Sequence, residues 1–209
     1  MKDTQLFVNI EGEHDLASAM VVMAVEEFGR NYLERYFNPA LFVKELPRIG
    51  DYKKDSKIMI DSYRQALWDF YNINKDREIF TVDVVDSPLV PDRFYDEVFA
   101  SSVHYFDLET GKLISPDKAG VIVSRTSLDP NAKEGQKALT AYLLGTHEIG
   151  HLALGHEVCN SDNCIYSHNP GSLERIAGRY FEVNKENKIP VCDFDKQRLE
   201  EFRNRWQGR

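Results

Sequence analysis

Residues 147–156 read His147-Glu148-Ile149-Gly150-His151-Leu152-Ala153-Leu154-Gly155-His156, and their spacing decides how the chain is understood. On a helix, His147 and His151 stand one turn apart on the same face. Their imidazoles can therefore share one metal ion. Glu148, next to the first histidine, points to another side of the metal and is placed to take a proton from a bound water rather than to bind the ion. A zinc ion in such a site polarises a carbonyl and lowers the pKa of its water to about 7. The pattern thus implies metal-assisted hydrolysis of peptide bonds, with Glu148 as general base. A match of this kind arises by chance in about one chain in a hundred of this length, so context carries weight. Here the motif lies on a predicted helix, ends at a glycine and is followed at once by further metal-capable side chains.

A hydrolytic zinc site has three protein ligands and an open position. His156, just beyond the turn at Gly155, would complete a three-histidine set and is the expected third ligand. Glu157 and the more distant Glu174 are the alternatives. The structural reading of His156 is a surface histidine stabilised by the negative end of the helix. The three cysteines, Cys159, Cys164 and Cys192, are an odd number, and a purely disulfide framework would leave one over. In a reducing compartment they resemble metal ligands.

Working outward, residues 5–10 form an apolar run of strand character. Met20, Val21, Ala24, Val25, Phe28, Tyr32 and Tyr36 follow at helical spacing. Residues 41–46 read as a strand, and 56–71 as a helix with Ser56 as N-cap. Three runs rich in Val, Ile, Phe and Tyr, at 78–85, 98–106 and 120–124, are strands separated by Pro, Asp and Gly. A helix over about 132–154 carries the motif and stops at Gly155, a residue suited to a left-handed C-cap. A turn-rich segment and a last helix over about 195–206 complete the chain. The expected fold class is α/β (α+β): a twisted mixed sheet of about five strands, two backing helices, the active-site helix and a terminal helix. One domain is expected, with residues 1–155 as an N-terminal subdomain and 156–209 as a small C-terminal one.

The 209 residues carry a formal charge of -8 and a pI near 5.3. That balance argues against a nucleic-acid partner, whose phosphates call for clustered Lys and Arg. The first residues lack the apolar core of a signal peptide, and no stretch is long enough to span a bilayer. No membrane partner is expected, and a cytoplasmic location is.

The stretch HEIGHLALGHEVCNSDNCIY resembles the archaemetzincin family of metzincin metallopeptidases, whose pattern is HExxHxxGxxHC followed by Cx4CxM. Cys159 and Cys164 keep the gap, and Ser172-Leu173-Glu174 falls where the family often has a similar triplet. The resemblance implies a zinc peptidase acting on a peptide or protein substrate. It also implies a second, structural zinc, here on Cys159, Cys164, Cys192 and Asp195, with Asp195 where the family has a fourth cysteine. Zinc accepts thiolate and carboxylate together. Without metal, the thiols would pack as small hydrophobes, and in an exported protein Cys159 and Cys164 could pair as a disulfide. Two departures stand out. One residue is missing between His151 and His156, so the family spacing falls on Glu157. No methionine follows Met59, and Tyr166 occupies the Met-turn position, where a phenol could stabilise an oxyanion. Two rivals are a gluzincin-like regulatory peptidase with Glu174 as third ligand and a catalytically silent zinc-binding module. His14, His104 and His168 read as ordinary surface, strand or loop histidines.

Overall fold

The computed structural model describes residues 2–40, 46–91, 97–104, 113–155, 159, 161, 164–167 and 190–206. Its centre is a five-stranded sheet in the order β2-β1-β5-β8-β7. The strands are β1 (Lys2–Ile10), β2 (Arg35–Ala40), β5 (Ile79–Val85), β7 (Ala100–His104) and β8 (Lys118–Ser124). Neighbours pair in parallel except β7, which runs antiparallel to β8 at one edge. Every residue of β5 and β8 is buried. That explains their nearly continuous apolar runs, since central parallel strands are covered on both faces.

Alternate residues of these strands feed two cores. Leu6, Phe80, Val82, Val121 and Val123 face α1 (Leu16–Phe28) and α3 (Glu134–Leu154). Phe7, Ile79, Val85 and Ile122 face α2 (Ile60–Ile73) on the other side. The α1 and α3 helices therefore lie side by side. Their approach is close: a Cβ on Gly145 would sit 3.1 Å from Ala24 Cβ and 3.3 Å from Val21 Cα. The last helix, α4 (Asp193–Trp206), sends Leu199 and Phe202 into the same core. A three-stranded sheet of β3 (Lys53–Lys54), β4 (Lys57–Met59) and β6 (Leu89–Val90) stands apart.

The mixed five-stranded α/β sheet is the expected class, but several boundaries differ. The apolar spacing through Tyr36 is not one helix. The α1 helix passes into a π-helical turn over Gly29–Leu33, Glu34 adopts a left-handed conformation (φ 53°), and Tyr36 lies half-exposed in β2. The strand expected at 41–46 falls largely outside the described residues. Ser56 is not an N-cap either. With Asp55 it takes positive φ (64° and 49°) in the β3–β4 turn, and α2 begins only at Ile60. Asp15 is a true N-cap, accepting from Ser18 N at 2.8 Å. Among the described residues no helix is long and apolar enough to cross a membrane.

A carboxyl group is sunk in the α2-side core. Asp83 on β5 is buried and accepts from Tyr63 Oη at 2.9 Å and Asn9 Nδ2 at 3.1 Å. Burial outweighs these bonds and pushes its carboxyl up to about 7 from an ordinary 3.8. A raised carboxyl pKa means that the native state binds more protons than the unfolded chain between about pH 4 and 7. Stability from this group is greatest at low pH and is lost as the pH climbs through that window. Asp83→Asn should therefore gain on wild type in denaturant midpoint as pH rises from 4 to 7. An offset that is constant with pH would show that Asp83 is already ionised in the fold.

Candidate metal centre

The 21-residue helix α3 is held along most of its length, with Ala138, Leu139, Ala141, Leu143, Leu144, Ile149, Leu152 and Leu154 all buried. His147 and His151, 8% and 9% exposed, come from its last two turns. The helix stops at Gly155, whose φ of 64° and ψ of -145° suit a residue without Cβ. This turn does two things. The Gly155 N–H donates to His151 O at 2.8 Å, and the Gly155 carbonyl swings back to lie 2.8 Å from His151 Nδ1. His147 Nδ1 lies 2.7 Å from the carbonyl of Ile165.

A carbonyl oxygen only accepts, so both Nδ1 atoms must carry the proton. In the neutral imidazoles the lone pairs then sit on Nε2, and these two atoms face each other at 3.2 Å. Two lone pairs at that distance can be bridged by a cation, whether a shared proton or a metal ion. Tetrahedral zinc with Zn–N bonds of about 2.0–2.1 Å would place two ligand nitrogens about 3.3 Å apart. The pair fits such an ion, and the two carbonyl bonds are the orienting contacts that metal-binding histidines use. His156, Glu157 and Glu174, the candidates for a third ligand, lie outside the described residues, as does His168.

Glu148 leaves the helix toward the sheet edge, where it hydrogen-bonds with Ser102 of β7. Desolvation raises its carboxyl to about 7, against the opposing pull of the Ser102 bond and the charge of Arg64 on α2. The side chain keeps some exposure. Tyr166 is buried, with its ring centroid 6.4 Å from that of His147. Its edge lies directly against Gly150, where a Cβ would overlap the ring. Burial raises the phenol further, so it stays protonated.

A second group of ligating atoms lies close by. Those of Cys159, Cys164, Cys192 and Asp195 all fall within 4.8 Å of one another. The thiols of Cys164 and Cys192 donate to Asp195 Oδ2 at 3.1 and 3.2 Å, and Cys192 N donates to Cys164 Sγ at 3.3 Å. Asp195 is completely buried, and its Oδ1 has no hydrogen-bond partner among the described residues. All three cysteines are free. Burial, followed by the Asp195 carboxylate, pushes the Cys159 thiol up to about 11, and burial also raises Cys164. The cluster could hold a metal ion, whose charge would displace the thiol protons.

The sequence singled out residues that the structure brings together at two places, His147 with His151 and Cys159 with Cys164, Cys192 and Asp195. It gave no sign of Ser102, Arg64 or the carbonyls of Gly155 and Ile165. A serine in a strand has no signature, and a backbone oxygen has no residue identity. Of the histidines set aside, His14 is exposed and His104 is buried in β7.

A sheet with this topology, a histidine-bearing helix across one face and a cysteine-rich junction to the terminal helix make up an archaemetzincin-like fold. The crystal structure of archaemetzincin from Methanopyrus kandleri at 1.5 Å resolution matches with a TM-score of 0.55 and 18% identity, over 96% of this chain and 95% of that one. The sequence matches no family model and no curated protein. At that identity the likeness establishes the fold.

The contact between Gly150 and Tyr166 can be checked by stability. In an isolated helix, alanine for glycine gains about 1 kcal/mol, whereas overpacking a core costs about 1–3 kcal/mol. Gly150→Ala should therefore destabilise the wild-type protein. In a Tyr166→Ala background, where the ring is gone, it should stabilise. A chemical-denaturation cycle with the same sign in both backgrounds would contradict this packing.

Proposed function

We propose that this protein is a zinc-dependent peptidase, hydrolysing peptide bonds in a peptide or protein substrate. The observation that carries the proposal is the facing pair of Nε2 atoms, 3.2 Å apart, each backed by a carbonyl on Nδ1. His147 and His151 would hold the ion, with the third place filled by His156 or by Glu157 or Glu174. When bound, zinc supplies a Lewis-acidic centre that polarises a carbonyl and acidifies water. Glu148 accepts the proton of the attacking water and passes it to the leaving amine. Its raised pKa, near neutrality, suits a group that must both take and give a proton at physiological pH. Ser102 steadies that carboxylate from β7.

The same strand offers a place for substrate. Because β7 closes the sheet order next to the helix, an extended peptide can be added along it with main-chain hydrogen bonds. Tyr166, buried against Gly150, serves as the floor under the helix. The Cys159, Cys164, Cys192 and Asp195 cluster would hold a second, structural zinc joining the loop after α3 to α4.

Glu148→Gln should lower kcat/KM on a peptide substrate by about 10²–10⁴-fold while the zinc content stays the same. If zinc-loaded wild type and Glu148→Gln cleave at equal rates, the protein is a silent zinc-binding module. Zinc counts on His156→Ala and Glu157→Ala identify the third ligand, since only loss of a true ligand should weaken the histidine site. Retention in both would point to Glu174. Tyr166→Phe should hydrolyse within a few-fold of wild type. A large loss in kcat alone would make the hydroxyl an oxyanion donor.

A further inference from the structure

Three consecutive residues connect the two ligand clusters. Cys164 contributes its thiol to the cysteine and aspartate group. The carbonyl of Ile165 orients His147 at 2.7 Å. The ring of Tyr166 lies on Gly150, beside His151. Cys164 and Ile165 are completely buried, and Ile165 N donates to Pro190 O at 2.9 Å, two residues before Cys192. One peptide bond thus separates a cluster ligand from the group that aims a histidine.

We propose that occupancy of the Cys159, Cys164, Cys192 and Asp195 cluster sets the metal affinity of the His147 and His151 pair, with the Ile165 carbonyl as the coupling element. This deepens the zinc-peptidase proposal and rests on it. The Cys164 backbone is bonded to Ser161 O at 3.2 Å and to Ser167 N at 3.1 Å, whereas its thiol makes S–H···O and N–H···S contacts of 3.1 and 3.3 Å, which are weak bonds. A bound cation would replace them with coordination to all four side chains and draw into use the Asp195 carboxylate oxygen that has no partner among the described residues. The Cys164 side chain is then held more firmly, and the Ile165 carbonyl one residue on is held with it. His147 reaches its ligating orientation with less ordering left to do. Partners of this kind alter metal affinity by about 10–100-fold. Because coupling between two binding sites is reciprocal, an organised histidine pair should tighten the cluster in turn.

The test uses the full, reduced chain and cobalt(II) as the probe. Thiolate-to-cobalt charge-transfer absorption reports the cluster, and the weaker visible bands report the nitrogen-ligated pair. Affinities come from competition with a chromophoric chelator. Cys192→Ser combined with Asp195→Ala removes two ligands and leaves residues 164–166 untouched. The expected result is an empty cluster and a histidine-site affinity about tenfold or more below wild type, with far-UV circular dichroism unchanged. Wild-type affinity at the histidine pair beside an empty cluster would overturn the proposal. If that variant does not fold, His147→Ala decides. It deletes the bond to Ile165 and should weaken cobalt binding at the intact cluster, whereas unchanged cluster affinity would refute the coupling. Failure of the zinc-peptidase proposal looks different: the wild type itself would then take no cobalt at the histidines, and the coupling would fall with it.

Discussion

Two imidazole Nε2 atoms are held 3.2 Å apart, and much of the architecture around α3 can be understood as what keeps them there. Helical spacing supplies only the common face. It does not fix which ring nitrogen points inward, because either ring can turn about its own bonds. That choice is made by the carbonyls of Gly155 and Ile165, each of which requires a proton on the nearer nitrogen. The orientation of the two rings is therefore set by the fold itself.

Preserving that orientation requires α3 to be immobile, and the sheet and α1 provide that. The absence of a side chain at Gly145 lets the two helices approach closely, while the alternate residues of β5 and β8 fill the space beneath. The same sheet places its one antiparallel strand, β7, at the edge beside Glu148. Ser102 on that strand gives the carboxylate a hydroxyl partner.

The parts of this arrangement legible in the sequence are those in which side-chain identity and period carry the information. The HEIGH spacing, the apolar runs of the central strands and the recurrence of Cys159, Cys164, Cys192 and Asp195 are of that kind. Periodicity misled where two elements happened to share it. Phe28, Tyr32 and Tyr36 are each four apart, yet the left-handed Glu34 sends the last of them into β2. Ser56 has the chemistry of a helix cap, but positive φ at Asp55 and Ser56 spends it on a turn between two very short strands. Strands of two or three residues leave no periodic trace at all, and backbone acceptors leave none in principle.

Two residues stand where the archaemetzincin pattern that the sequence resembles has others, and both are tied into the structure. Aspartate in place of a fourth cysteine keeps the summed charge of the fully deprotonated ligand set, since both contribute one negative charge. What changes is the hydrogen bonding: Asp195 uses one oxygen to gather two thiols while the other stays unpartnered among the described residues. The cluster is thus assembled around an acceptor that a fourth thiol could not match, because a protonated thiol is a weak acceptor. Tyrosine in place of methionine likewise trades a flexible filler for a rigid plate. That plate fits because residue 150 has no side chain, so the glycine inside the histidine motif and the aromatic ring beneath it have to be understood as one solution.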